Sequence, residues 1–224
     1  MNGRWVINLS IAAEALPVMA VIARRTGEAA RRWIAVAFAV WLAQDVILWW
    51  MSIHGRNNHW LIHLGNPVST VLFLGAYAAW TEDPVRRRAL QFAAFGYVLV
   101  WAGIFLSVED PNTFSQYTDP LRALVLILVC AWALVRAVMT EPPPVWRSAI
   151  YWVSIGLLMD FGTGLILAPV SGRLTRVQPA LVVTAFYIKA GINVVAYLLV
   201  TVGMLCKPRP SSTGAFSSRP PSPS

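Results

Sequence analysis

The sequence predicts an all-α membrane protein, a bundle of seven transmembrane helices with its N-terminus outside and its C-terminus in the cytoplasm. Of the 224 residues, 57% are hydrophobic and only 12% are charged, whereas soluble domains carry about 25% charged residues. The apolar residues form runs of about 20, the length of helix that crosses a hydrocarbon core of roughly 30 Å. A soluble fold could not bury an apolar excess of this size.

Seven such runs follow one another between charged or turn residues. They cover residues 5–23, 33–53, 61–80, 90–108, 120–139, 149–170 and 180–205. The first is interpreted as a retained span and not a cleaved signal peptide, because Glu14 and Pro17 interrupt its middle and arginines follow it. Together the runs define one transmembrane domain over residues 1–206.

Turn and capping residues support these boundaries. Asp83-Pro84 and Asp119-Pro120 each place a capping side chain before a proline that suits the first helical turn, at the starts of the fourth and fifth spans. Asn66-Pro67 lies inside the third run, where proline removes a backbone donor. The third span is therefore expected to kink or to start late, and six spans would remain if it failed.

The distribution of basic residues predicts the orientation. The loops after the first, third and fifth spans, together with the C-terminal tail, hold more than twice as many Lys and Arg as the opposite side. Because the basic side faces the cytoplasm, we expect a multi-pass protein of a cell membrane, namely a bacterial inner membrane. This arrangement explains the net charge of +8 without nucleic acid.

Residues 207–224 differ in composition from the rest of the chain. They are rich in Pro and Ser and contain one large apolar residue, Phe216. Such a segment cannot form a core, so we expect a disordered cytoplasmic tail.

Four ionisable residues lie well inside predicted spans: Glu14 in the first, Asp45 in the second, Asp160 in the sixth and Lys189 in the seventh. Each costs at least ~2.5 kcal/mol at the centre of a bilayer. All four fall at a similar depth, roughly 12 to 15 Å from the external ends of their spans. If the helices pack as a ring in chain order, these side chains converge on one pocket between neighbouring helices.

Helical spacing adds polar groups to this predicted pocket. Ser10 lies four residues before Glu14, and Asn193 lies four residues after Lys189, so each shares a helix face with a charge. With three acids and one lysine, at least one carboxyl must be protonated or bind a cation. The predicted ligands are a proton, a cation or a small polar molecule, and the alternative is an interhelical tie that binds nothing.

Two histidines, His59 and His63, are four residues apart near the start of the third run, the spacing of His-x-x-x-His metal sites. No further ligand completes such a site in the sequence. Loop histidines at the membrane interface are the favoured interpretation, and zinc held by His59 and His63 is the alternative.

A lysine halfway along a seventh span, with an external N-terminus, resembles the microbial rhodopsins, and the resemblance implies retinal bound to Lys189 as a Schiff base. The likeness covers the topology and that one residue. Ala185 stands where the family has an acid one turn before the lysine, and the third span has no acid. Asp45 or Asp160 would have to substitute, so a retinal-binding photoreceptor is not favoured.

Two further resemblances rest on short motifs. Leu-x-x-Asp motifs end at Asp45 and Asp160, and each is followed one span later by a polar residue, His63 and Lys189. This repeat resembles the three-plus-one-plus-three architecture of the SWEET transporters, although the Pro-Gln signature of that superfamily is reversed in Gln178-Pro179. The motifs Glu-x-x-Pro at 14–17 and Asn-Asn-x-Trp-Leu-x-His at 57–63 resemble a group of small bacterial membrane proteins, which implies topology but no activity.

These observations favour a binding or transport protein, a transporter or a sensor, whose midplane pocket takes a cation, a proton or a small polar ligand. The alternatives are a membrane-embedded enzyme acting on a lipid and a non-catalytic assembly partner. An enzyme is less favoured because the chain has no nucleophile elbow, His-Glu-x-x-His motif or phosphate loop. We expect no cofactor, and as partners the lipid bilayer, the ligand or ion and, in a homo-oligomer, further copies of the chain.

Overall fold

The structure, a computed structural model, describes residues 4–25, 27–140 and 144–207, without the side chains of residues 4, 168–177 and 179. In this part of the chain, seven helices are long and apolar enough to cross a membrane. They are α1 (Arg4–Arg24), α2 (Ala29–Ile53), α3 (His59–Trp80), α4 (Pro84–Ser107), α5 (Thr118–Thr140), α6 (Ala149–Val177) and α7 (Pro179–Leu205). Each predicted run corresponds to one helix, which confirms the all-α architecture of seven helices. The predicted tail lies, apart from Lys207, outside the described residues.

Helix α3 corrects the expectation of a late start. It begins at His59, before the predicted run, and continues as α-helix through Pro67. The hydroxyls of Ser69 and Thr70 both donate to the Asn66 carbonyl, at 3.1 and 2.8 Å. These bonds satisfy two hydroxyls that are fully buried in the bundle, so neither is left without a partner.

The start of α4 is capped as predicted, but the start of α5 is not. Asp83 accepts a hydrogen bond from the Val85 backbone amide at 2.9 Å. Helix α5 instead begins one residue before Asp119, and the Asp119 amide donates to Ser115 Oγ at 2.9 Å. The prediction that Asp119 caps α5 was therefore wrong, because Ser115 in the preceding loop accepts the hydrogen bond from the Asp119 amide.

Six of the helices pack as a ring, and α4 lies outside it. The ring runs α1, α2, α3, α5, α6 and α7, and α7 packs back on α1. Helix α4 packs mainly on α3 and only slightly on α5, in keeping with its two buried residues, Leu90 and Tyr97. Chain order therefore predicts the neighbours α6, α7, α1 and α2 correctly, but not the position of α4. We call the face where α1 begins the N-side and the face where α7 ends the C-side.

Aromatic rings fill the centre of the ring of helices. Phe38 and Trp41 of α2 contact Tyr197 of α7 edge-on or tilted, with ring centroids 5.3 and 6.5 Å apart. Trp41 also contacts Phe73 of α3 at 4.9 Å and Phe161 of α6 at 5.7 Å. These contacts join helices on opposite sides of the ring, and such edge-to-face pairs each add about 0.5 to 1.5 kcal/mol beyond area burial.

A buried arginine closes the C-side. Arg31 of α2, 1% exposed, donates through Nη1 to the carbonyl oxygens of Met204 and Cys206 at 2.9 and 2.6 Å. Its Nε lies 2.6 Å from Glu28 Oε2, and Glu28 Oε1 accepts from the Trp80 indole at 2.8 Å. Because the last carbonyls of a helix lack partners and carry partial negative charge, Arg31 ties the end of α7 to the ends of α2 and α3.

A glycine allows the close packing of α6 on α7. A Cβ atom at Gly156 would lie 2.5 Å from the Ala196 carbonyl oxygen and 2.8 Å from Val200 Cγ2. Gly156→Ala is therefore expected to separate these helices and to cost about 1 to 3 kcal/mol, measured as a lower thermal unfolding midpoint in detergent. Gly162→Ala is the control, because no atom lies within 4 Å of its Cβ position. An unchanged or higher midpoint for Gly156→Ala would contradict the packing.

Candidate functional site

Asp160 of α6 and Lys189 of α7 form an ion pair inside the bundle. Lys189 Nζ lies 3.2 Å from Asp160 Oδ1 and 3.4 Å from Asn193 Oδ1. Asn193 Nδ2 in turn donates to the Tyr197 hydroxyl at 3.3 Å. Lys189, Asn193 and Tyr197 are spaced by four residues and share one face of α7, so this face presents a line of polar groups to the interior.

Glu14 of α1 and Asp45 of α2 complete a cluster with this pair. Their carboxyl groups are close enough to interact with each other, and the Tyr197 hydroxyl lies beside Glu14. Glu14 interacts electrostatically with Asp160, and Asp45 interacts with both Asp160 and Lys189. The structure therefore brings together all four charges singled out in the sequence, and we call Glu14, Asp45, Asp160 and Lys189 the charged cluster.

The proximity of Glu14 and Asp45 calls for a proton or a cation between the two carboxyl groups. Two ionised carboxylates only accept hydrogen bonds, so they attract each other only through a shared proton or a bound cation. Glu14 is 3% exposed, and its Oε2 atom has no hydrogen-bond donor among the described residues. A buried acceptor of this kind is costly to leave unsatisfied. The chemistry that the cluster offers is therefore reversible binding of a proton or a small cation.

Ser10, which the sequence placed on the same helix face as Glu14, is a neutral neighbour of the charged cluster. It is buried one helical turn to the N-side of Glu14, on the same face of α1. It can extend the polar surface of the cluster toward the N-side but adds no charge.

Arg122 of α5 is a member of this region that the sequence analysis missed. Its Nη2 lies 2.7 Å from Asp119 Oδ1, and its guanidinium lies 5.7 Å from the ring centroid of Trp41 and 5.6 Å from that of Phe161. It interacts electrostatically with Asp160 and with Asp45. In the count of basic residues that predicts the orientation, it was taken as a charge at the external ends of the spans. Its place one turn inside an apolar run, three residues after an acid, is the signal that could have found it.

The two histidines for which zinc was the alternative, His59 and His63, both lie in α3 and not in a loop, and they have separate partners. His63 is fully buried, with Nδ1 3.0 Å from Glu109 Oε2 and Nε2 3.1 Å from the Thr113 carbonyl oxygen. The His59 ring packs on Phe114, with centroids 4.5 Å apart. In the described ranges, no group of three or more His, Cys, Asp or Glu is arranged to hold a metal ion.

Glu109 holds the loop between α4 and α5 against the start of α5. Its Oε1 accepts from the backbone amides of Tyr117 and Thr118 at 2.8 and 2.9 Å and from Ser115 Oγ at 3.2 Å. Its Oε2 accepts from Thr118 Oγ1 at 2.6 Å and contacts His63. A carboxylate at a helix N-terminus is favoured by the helix dipole. We call His63, Glu109, Ser115 and Thr118 the N-side clip.

The ionisation of Glu109 follows from the geometry of the clip. Burial opposes ionisation of Glu109, but the hydrogen bonds from Thr118 and Tyr117 and the neighbouring His63 outweigh it, so the pKa of Glu109 lies below its ordinary value. Both atoms that face the His63 ring nitrogens are then acceptors. A ring N–H of His63 can therefore donate to Glu109 or to the Thr113 carbonyl, and the ring joins the loop after α4 to the start of α3.

The clip predicts an acid-sensitive contribution to stability. A folded-state pKa below the unfolded value, near 4.5, stabilises the protein fully above that pH, and the contribution is lost as pH falls through the folded pKa. Glu109→Gln is expected to cost about 2 kcal/mol at neutral pH and to remove this acid-dependent loss, measured by thermal unfolding across pH. Asp110→Asn, which removes an exposed neighbouring acid, is the control. Equal acid sensitivity of wild type and Glu109→Gln would contradict the clip.

A buried polar stripe on α3 was also missed. His63, Asn66, Ser69 and Thr70 are all at most 1% exposed. They recur at intervals of three or four residues within an apolar helix. That periodicity of polar residues could have identified the face of α3 that points inward.

Two surface grooves of the bundle do not involve the charged cluster. One, of about 420 Å³, is lined by residues of α2, α3 and α4 that include Trp33, Gly75 and Phe95. The other, of about 280 Å³, lies between α1 and α2 and is lined by Asn8 and Trp49 among others. Both are almost entirely apolar, as expected of surfaces that face lipid tails.

Comparison of the chain with models of protein families, with curated proteins and with solved structures finds no match. The proposals below are therefore supported by the geometry and charge of this chain alone.

Proposed function

We propose that the protein binds a proton or a small cation at the charged cluster and acts as a transporter or a sensor of that ion. The observation that carries the proposal is the contact of Glu14 with Asp45 beside an Asp160 that is already paired with Lys189. Three carboxyl groups and one lysine leave negative charge inside the bundle. Such intramembrane charges are costly and commonly line ion pathways.

The surroundings of the cluster favour an ion over a larger polar ligand. The two grooves described above are apolar and separate from the cluster. On the C-side of the cluster, Phe38, Leu157 and Met204 are fully buried. Toward the N-side, charged groups continue through Arg122 and Asp119. We therefore propose that the ion enters and leaves from the N-side.

The distribution of basic residues supports an external N-side and a cytoplasmic C-side, in a bacterial inner membrane. Arg31 and Arg122 lie within the bundle and do not count as loop charges. Arg31 was counted on the C-side and Arg122 on the N-side, so leaving both out does not change the excess of basic residues on the C-side.

The orientation is tested with single cysteines at Arg56 and Arg88, in a chain without Cys130 and Cys206, and a membrane-impermeant thiol reagent. Labelling of intact cells at position 88 and not at 56 would reverse the orientation.

Ion uptake into liposomes tests the function. Purified wild type is expected to move protons or a monovalent cation down an imposed gradient, followed with a dye inside the vesicles. Glu14→Gln, Asp45→Asn, Asp160→Asn and Lys189→Met are each expected to reduce the rate by at least about tenfold, because each changes the charge that holds the ion. Glu82→Gln, at an exposed position between α3 and α4, is the control. If the four cluster variants all behave as wild type, the proposal fails. An ion bound but not moved would indicate a sensor.

A further inference from the structure

Arg122 has donor capacity that the fold does not use. Its Nη2 pairs with Asp119 at 2.7 Å, but its Nε is buried and has no hydrogen-bond partner among the residues that the structure describes. Its side chain is 18% exposed. Two aromatic rings lie beside the guanidinium, those of Trp41 and Phe161. Their faces attract a cation without fixing its direction, so the guanidinium is held in place mainly by Asp119.

The position of Arg122 is between two sets of acids. Asp119, in the first turn of α5, lies on its N-side, and Asp45 and Asp160 lie toward the interior, with electrostatic interactions to both. Trp41 is one helical turn before Asp45, and Phe161 follows Asp160, so both ring contacts place the guanidinium next to the cluster. A fixed positive charge here repels any further cation that the carboxyl groups attract.

We propose that Arg122 sets how tightly the charged cluster holds its ion and that Asp119 positions Arg122 for this role. The inference rests on the proposed function and deepens it, because it names the residue that determines affinity. While Asp119 holds the guanidinium, Asp160 remains paired with Lys189, and Glu14 and Asp45 share the exchangeable proton. Without Asp119, the guanidinium is free to pair with Asp160 and competes with that proton.

The proton is the probe for the test. The full chain is reconstituted in lipid vesicles, and the infrared band of protonated carboxyl groups is followed across pH. Arg122→Gln is expected to raise the pH midpoint of this band by about one unit, a tenfold tighter hold that corresponds to about 1.4 kcal/mol. Asp119→Asn is expected to lower the midpoint, because it removes a negative charge and releases the guanidinium. Arg122→Lys keeps the charge and is expected to stay close to wild type.

Arg122→Gln and Asp119→Asn are expected to shift the pH midpoint in opposite directions. This distinguishes control of ion affinity from a purely structural role of the Arg122–Asp119 ion pair. Loss of a purely structural pair would affect both variants in the same direction, by loosening the bundle. If wild type has no titrating carboxyl band, the proton form of the proposed function fails, and the inference about Arg122 fails with it. If wild type titrates but Arg122→Gln leaves the midpoint unchanged, or if Asp119→Asn shifts it in the same direction as Arg122→Gln, only the inference about Arg122 is overturned. Should Arg122→Gln fail to fold, the sign of the Asp119→Asn shift decides alone.

Discussion

Replacement of Arg31 with alanine is expected to lower the free energy of unfolding by about 3 to 5 kcal/mol, because it truncates a fully buried side chain that binds two backbone carbonyls and a carboxylate. The variant removes the side-chain donor of the Met204 carbonyl, leaves the Cys206 carbonyl only the longer bond from Arg24 Nη1 at 3.2 Å, and removes the ion pair between Arg31 and Glu28. It also creates a cavity where a large and fully buried side chain had been. The measurement is the thermal unfolding midpoint of the purified protein in detergent.

Two further variants show whether charge or geometry is lost. Arg31→Lys keeps the charge but not the planar group that reaches several acceptors, so an intermediate loss is expected. Arg32→Ala removes an exposed arginine from the same helical turn, and exposed ion pairs contribute only about 0 to 1 kcal/mol. Equal midpoints for Arg31→Ala and Arg32→Ala would contradict the role of Arg31 as the tie at the end of α7.

Replacement of Lys189 with methionine is expected to cost more than replacement of Asp160 with asparagine. Lys189→Met leaves Asp160 and Asp45 without the lysine that interacts with them, whereas Asp160→Asn removes a negative charge from a cluster that is already negative. An uncompensated buried charge costs about 3 to 5 kcal/mol. Because protons can replace the lost cation on the carboxyl groups, the cost of Lys189→Met is expected to shrink as the pH falls.

Lys207→Met is the matched control, because Lys207 is exposed beyond the end of α7 and is the one other lysine of the chain. The unfolding midpoints of the three variants are compared at neutral and acid pH. A pH-independent cost of Lys189→Met, or a larger cost for Asp160→Asn, would show that Lys189 does not balance the charge of the cluster.

The sequence was sufficient for the spans and for the four cluster charges, because both depend on local properties. A run of apolar residues needs only its length to predict a span, and the depth of Glu14 or Lys189 along a helix is found by counting residues. Helix α4 was placed incorrectly, because lateral packing depends on which faces match. Only Leu90 and Tyr97 of that helix are buried, a fact that becomes visible once the neighbours are known.

Contacts between distant segments account for the remaining differences. Arg31 and Arg122 were counted with the basic residues of the two membrane faces because they lie near span ends, but their long side chains extend into the bundle. The start of α5 was assigned to Asp119, whereas Glu109, nine residues before Thr118, binds the amide there. Neither the reach of a side chain nor a contact across a loop has a periodic signature in the sequence.

Infrared difference spectroscopy of the carboxyl groups tests the central claim most directly. At neutral pH, wild type in lipid vesicles is expected to show the carbonyl stretch of a protonated carboxyl in an apolar environment. The band should disappear in Glu14→Gln and in Asp45→Asn, since both remove the pair that shares the proton, and should remain in Glu109→Gln. A wild-type spectrum with no such band, at neutral pH and in the absence of any cation beyond the buffer's own, would contradict a shared proton between Glu14 and Asp45.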